Sequence, residues 1–354
     1  MNDIQSNIQA ETIVDVTTGV KRFAKLSAKG CAFLGTEYAI MAGAMSWVSD
    51  RNLVAAISEA GAFGVIACGG MTPALLDAEI KATKKMTKKP FGVNLITMHP
   101  ELDALIDVCG SNDVSHVVLA GGLPSAVAIE KIKSFDAKVM CFAPVLALAK
   151  KLVRSGVDAL VIEGAEAGGH IGPVSTAVLA QEILPHINDV PVFVAGGIGR
   201  GEAIASYMSM GAAGVQLGTR FVCASESIAH PDFKKAFIRA PARDALSTVQ
   251  IDPQFPVIPV RALKNAGTEE FMETQRHVID KFNKGELEQE EAQLEIEKYW
   301  VGALKRAVID GDVVNGSLMA GQSVGMVKKE QPAKEIIQEL VDQAVSFLSD
   351  QTKN

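Results

Sequence analysis

The sequence predicts a (β/α)8 TIM barrel with a small C-terminal helical subdomain. Three observations carry this. Eight short apolar runs recur between residues 38 and 218, each followed by a Gly-rich break and most by a helical pattern. The runs are continuous rather than alternating, as strands buried on both faces must be. The chain holds 31 glycines and only 5 % aromatic residues, which suits close strand–helix packing better than an all-β sandwich.

The runs are YAIMAG (38–43), FGVIA (63–67), FGVNL (91–95), SHVVLA (115–120), AKVMCF (137–142), DALVIE (158–163), VPVFVA (190–195) and AGVQLG (213–218). Between them, 51–60, 73–84, 124–134, 146–155, 175–185 and 200–210 place apolar residues three and four apart, the mark of amphipathic helices. Asp50, Thr72 ahead of Pro73, and Ser175 or Thr176 are the expected N-caps. Repeats of 20 to 30 residues imply parallel strands with right-handed crossovers. Closing them gives a barrel over 36–240. An open doubly wound sheet is the competitor, but it should carry its Gly-rich fingerprint after the first strand. Here glycines follow several strands, notably the sixth, seventh and eighth, and GGIGRG (196–201) has the wrong spacing.

Outside the barrel, residues 1–35 read as an irregular N-terminal extension. PQFPVIPVRALKN (253–265) is Pro-rich, and 268–308 is charged and helical, so 241–318 reads as a helical lid. Residues 319–354 read as a C-terminal segment returning to the barrel and closing with a helix.

Composition limits the function. Lys plus Arg is 34 and Asp plus Glu is 41, a net charge of 34 − 41 = −7, which argues against a dedicated nucleic-acid binder. No run is long enough to span a membrane, and the acidic, polar N-terminus lacks signal-peptide features, so a cytoplasmic protein is expected. Cys31, Cys68, Cys109, Cys141 and Cys223 are odd in number and widely spaced. Neither a disulfide framework nor a zinc cluster is expected of them.

In such a barrel the reacting groups gather on the loops after the strands. After the seventh strand come Gly196 and Gly197, and after the eighth come Gly218 and Thr219. Small residues there let backbone N–H groups approach an anion, so a phosphate-bearing cofactor is the expected ligand. After the sixth strand comes Glu163-Gly164-Ala165-Glu166-Ala167-Gly168-Gly169-His170. Glycines beside a single His make a loop that can lie against a planar ligand, and imidazole exchanges protons near neutral pH. His170 is therefore the catalytic candidate. His99 also follows a strand, while His116, His186, His230 and His277 read as structural or surface residues. Ala42, Gly43 and Met45 open a small-residue gap after the first strand. Asn94 and Gln216 put amides on apolar strands, where either backbone or a ring with donors and acceptors could satisfy them.

At these residues the chain resembles the FMN-dependent flavoproteins that include nitronate monooxygenases and type II enoyl-ACP reductases. The motifs are FGVN (91–94), EGAEAGGHIG (163–172), PVFVAGGI (191–198), GVQLGTRF (214–221) and ESIAHPDFK (226–234). VRALKN (260–265) and GDVVNGSLMAGQSVGMV (311–327) look like the enoyl reductase branch. MAGAM (41–45) and LAGGLPS (119–125) depart from the family pattern.

The resemblance implies FMN bordered by Ala42, Gly43, Met45, Asn94, Glu163, Gly168 and Gly169. Its phosphate would lie on Gly196, Gly197, Gly218 and Thr219. Gln216 is counted with the cofactor residues, His170 matches the catalytic histidine, and Met319, Ala320 and Gly321 would approach from the C-terminal segment.

Two activities follow: NAD(P)H-dependent reduction of an enoyl thioester, and oxidation of alkyl nitronates with O2. A non-catalytic flavin-binding barrel and a non-flavin phosphosugar enzyme are the readings from other classes. Small-molecule or acyl-thioester substrates, an acyl carrier protein met by a basic rim at Arg261 and Lys264, and a second copy in a homodimer are the partners considered.

Overall fold

A computed structural model describes residues 2–252 and 257–350. Residues 253–256 of the Pro-rich stretch lie outside the described residues.

All eight apolar runs form strands: Ile40–Ala42, Gly64–Ala67, Phe91–Ile96, His116–Ala120, Lys138–Phe142, Ala159–Glu163, Val192–Ala195 and Gly214–Leu217. They are parallel, in one eight-stranded sheet. The sheet closes between the first and second strands. Ala42 N donates to the Phe63 carbonyl at 2.8 Å and Phe63 N to the Ile40 carbonyl at 2.9 Å. Met41, Phe63, Val65, Val118, Met140, Val161 and Phe193 fill the barrel interior, and a larger apolar layer joins the strands to the surrounding helices.

The expected helices are present, and a further one, Leu102–Ser111, follows the third strand. Asp50 accepts from Asn52 N and Leu53 N, and Thr72 accepts from Leu75 N ahead of Pro73. These caps satisfy N–H groups that a helix start leaves without partners.

The irregular N-terminal extension is corrected: Asn2–Leu34 is a helix. From residue 17 on, its buried positions are Gly19, Phe23, Ser27, Gly30 and Leu34, spaced four, four, three and four. Three of the five are Gly or Ser, so the face carries too little apolar signal to stand out. Gly19 packs on Val345 and Ser349 of the C-terminal helix Ala333–Asp350, and Gly30 on Ala213. At its end Leu34 enters the barrel-interior cluster with Phe33 against it.

The Phe33 carbonyl accepts from His116 Nε2 at 3.0 Å and from Lys138 Nζ. It is one of the carbonyls a helix end leaves over, and the Lys138 cation complements that end. His116 packs edge-on to Phe33 and Phe63 with centroids at 5.3 and 4.9 Å. It is 3 % exposed, and burial lowers its pKa to about 4. The unfolded chain therefore takes up this proton first as pH falls, and stability is lost between about pH 6.5 and 4. This difference corresponds to about 3 kcal/mol. His116→Gln, which keeps a donor for Phe33, is expected to flatten acid unfolding in that window. An unchanged acid midpoint would contradict this.

Residues 245–308 add a small unit with its own core, Val260, Phe271, Val278, Ile279, Ala292, Ile296 and Trp300. Its helices are Ala266–Asn283 and Gln289–Val308. Ala245–Ser247 and Val260–Leu263 form an antiparallel sheet whose third strand, Gly169–His170, is lent by the loop after the sixth barrel strand.

Candidate active site

Parallel strands bring all eight following loops to one mouth, and the small sheet ties the His170 loop there. Gly169 pairs with Arg261 and His170 with Val260, and Ile171 N donates to the Pro259 carbonyl at 2.9 Å. His170 is exposed, with its backbone held in this ladder. Gly169 has φ +77°, a region open to glycine at little cost. A Cβ on Gly168 would lie 2.6 Å from Gly321 N.

The C-terminal segment reaches the same loop. Gln322 N donates to the Glu166 carbonyl at 2.9 Å, and Gly321 N to Thr219 Oγ1 at 3.0 Å. Met319 bridges to Ala262, and its sulfur faces Gly169. Met319, Ala320 and Gly321 thus lie between the sixth and eighth loops. Thr219, 8 % exposed, uses its hydroxyl to anchor that segment.

Ser175 precedes Thr176–Ile183, but its side chain makes no capping bond. Glu166 takes that role instead. Its carboxylate accepts from Thr176 N at 2.8 Å and lies 2.9 Å from the Thr176 hydroxyl, which is 3.0 Å from the Gly196 carbonyl. A carboxylate at a helix start is favoured by the exposed N–H groups. Gly197, at φ +71°, packs against the Glu166 side chain. The sixth and seventh loops are therefore joined.

Asn94, 6 % exposed, donates to the Val118 carbonyl of the next strand at 3.1 Å, so backbone satisfies part of its amide. Gln216 and Glu163 have no hydrogen-bond partner for their side chains among the described residues. Burial pushes the Glu163 carboxyl up to about 8. Ala42 and Gly43 are buried and Met45 is half-buried near Gly218.

A flavin phosphate needs donors and room, and both are present. The N–H groups of Gly196, Gly197, Gly218 and Thr219 take no protein acceptor among the described residues. A Cβ on Gly43 or Gly218 would meet only ordinary contacts, the nearest at 3.6 and 3.5 Å. Protein packing therefore does not demand glycine at either position, and the bare backbone leaves space above the strand ends. Gln216 and Glu163 add polar groups for a ring. The residues fit FMN.

One other expectation is corrected. Arg261 is not on a basic rim: its guanidinium turns inward onto the Ala165 and Ala245 carbonyls, while Lys264 stays exposed. His99 accepts from Glu101 N at 3.0 Å and shapes the turn into the next helix. Sequence reasoning missed the capping role of Glu166. Trp47, at the end of the loop after the first strand, has its backbone at φ 66° and Lys305 Nζ 5.3 Å from its ring centre, a contact the sequence did not show.

A closed parallel barrel, with the His170 imidazole and unaccepted N–H groups on its C-terminal mouth, defines an α/β-barrel enzyme. The nitronate monooxygenase family model matches residues 28–105 and 101–343. The chain belongs to that family and is an oxidoreductase.

FabK from Thermotoga maritima superposes with a TM-score of 0.81 at 34 % identity, over 91 % of this chain and 97 % of that one. A (3aS,4S,5R,7aS)-5-hydroxy-7a-methyl-1-oxo-octahydro-1H-indene-4-carboxyl-CoA dehydrogenase of Mycobacterium tuberculosis (strain ATCC 25618 / H37Rv) is 29 % identical, over 89 % of this chain and 95 % of its own. A probable nitronate monooxygenase of Staphylococcus saprophyticus is 28 % identical, over 92 % and 99 %. Among the described residues no helix is long and apolar enough to cross a membrane.

Proposed function

We propose that the protein is an FMN-dependent oxidoreductase that takes reducing equivalents from NAD(P)H and reduces the double bond of an enoyl thioester. The observation that carries the cofactor is the set of unaccepted N–H groups at Gly196, Gly197, Gly218 and Thr219, on the same mouth as His170. They would hold the phosphate. Ala42, Gly43, Met45, Asn94, Glu163, Gly168, Gly169 and Gln216 would border the ring. When bound, the flavin supplies hydride-transfer chemistry.

The chain's own residues supply position and protons. His170 would hold a proton against the thioester carbonyl or the α-carbon, the work imidazole does best near neutral pH. Met319, Ala320 and Gly321 would wall the site from the C-terminal side.

An apolar acyl group is supported by exposed side chains after three neighbouring strands: Met98 at 71 %, Leu123 at 50 % and Val145 at 45 %. The CoA-named and FabK relatives point the same way. Free cysteines, four of them buried, suit a cytoplasmic setting.

The family model and the Staphylococcus relative favour a second reading, nitronate oxidation with O2, in which His170 would act as base. The visible spectrum of the purified protein decides. Anaerobic NADH or NADPH should bleach the flavin, and a crotonyl thioester should restore its colour. No bleaching, with rapid turnover of propyl nitronate in air, would select the second reading. A colourless protein would remove both.

A further inference from the structure

We propose that Arg261 is the positioning residue of the His170 loop, and that its forked guanidinium, rather than its charge, fixes the direction of the imidazole. This rests on His170 being the group that handles the proton.

Arg261 lies in the middle strand of the small sheet and joins four segments. Its backbone pairs with Gly169 on one side and Ser247 on the other. Its carbonyl accepts from Ala320 N at 3.3 Å. Nε donates to the Ala165 carbonyl at 2.8 Å, and Nη1 to the Ala245 carbonyl at 2.6 Å. The residue therefore grips the loop at both Ala165 and Gly169. His170 is the first residue beyond the second grip.

The other contacts of this span are local, come from the C-terminal segment, or run from the Glu166 carboxylate to Thr176 at the start of the next helix. Ala167 N donates to Gly164, Ala165 N to Val174, and Gln322 N to Glu166. Among the described residues, Arg261 ties both Ala165 and Gly169 to the strand whose Val260 pairs with His170.

The charge has no matching carboxylate. No Asp or Glu oxygen lies within 4.0 Å of the Arg261 guanidinium among the described residues, and Glu166 acts on it only as a more distant charge. Burial lowers its pKa below the ordinary arginine range. A half-buried cation without an ion pair is costly to desolvate. What it gains is two divergent N–H bonds in fixed geometry. A lysine ammonium, a point charge on a flexible stem, cannot reproduce that fork.

The experiment compares R261K and R261A with the wild-type holoenzyme. The readouts are kcat and KM for the thioester, the flavin retained after gel filtration, and the thermal midpoint. Both variants are expected to lose about 100-fold in kcat, the scale of a small misplacement of a reacting group. KM and flavin content should stay near wild type, and the midpoint should fall by only a few degrees. Guanidinium chloride at millimolar concentration should restore part of the rate of R261A and none of R261K.

Full kcat in R261K would show that charge suffices and overturn the proposal. So would losses in which rate, flavin content and midpoint fall together. His170→Ala serves as the control on the underlying reading. If that variant turns over normally, the reading fails. If it is inactive while R261A is fully active, this proposal alone fails.

Discussion

His170→Ala is expected to lower turnover by about 10²- to 10⁴-fold, the usual contribution of a positioned acid–base group. Little else should change. The backbone of His170 pairs with Val260 whatever its side chain, and the imidazole stands exposed at the mouth rather than filling core. A surface truncation away from caps and cores shifts stability by about 0.5 kcal/mol or less. The flavin spectrum and the thermal midpoint should therefore stay near wild type. Half-reactions sharpen the test. In the enoyl-reductase reading, bleaching by NAD(P)H should survive in the variant, while reoxidation by the thioester slows. In the nitronate reading, it is the step with the nitronate that slows. Wild-type rates in every step would leave a flavin-binding barrel without acid–base catalysis at this residue.

The barrel was legible in the chain because its physics is local. Strands buried on both faces must be apolar throughout, so runs such as SHVVLA and VPVFVA stand out without knowledge of their partners. Asp50 and Thr72 could be placed because a cap bonds two or three residues ahead. The loops carrying His170, Gly196 and Gly218 could be assigned to one mouth because parallel strands leave no alternative.

What was hidden depends on distant partners. The N-terminal helix buries Gly19 and Gly30 by close approach to Val345 and Ala213, and a missing side chain gives no apolar signal. Arg261 looks like a surface cation until Ala165 and Ala245 are brought beside it. Glu166 caps a helix ten residues away, past a loop whose path the sequence does not state. The two-residue strand Gly169–His170 has no pattern of its own and exists through Val260 and Arg261.

Glu163→Gln is expected to stabilise the protein at alkaline pH and leave it nearly unchanged at about pH 4, below the ordinary carboxyl pKa of 4.5. Glu163 ends the sixth strand with no hydrogen-bond partner for its carboxyl among the described residues, and burial pushes its pKa from 4.5 to about 8. The sign follows from proton binding. Between these values the folded protein keeps a proton that the unfolded chain has lost, so stability falls as pH rises through the window. Each tenfold difference in proton affinity between the two states is worth about 1.4 kcal/mol, so the penalty reaches several kcal/mol above pH 8. Glutamine has the same shape and cannot ionise.

Thermal midpoints of the two proteins should nearly coincide at about pH 4 and diverge towards about pH 9, with the variant higher. His116 titrates identically in both and cancels from the difference. Parallel midpoints at all pH values would show that the carboxyl is solvated and ionises normally. A carboxyl kept protonated at pH 7 can donate a hydrogen bond, which a carboxylate cannot. Glutamine keeps a donor at that position and alanine does not. Glu163→Gln should accordingly retain flavin through gel filtration at pH 7, while Glu163→Ala should lose a measurable share of it.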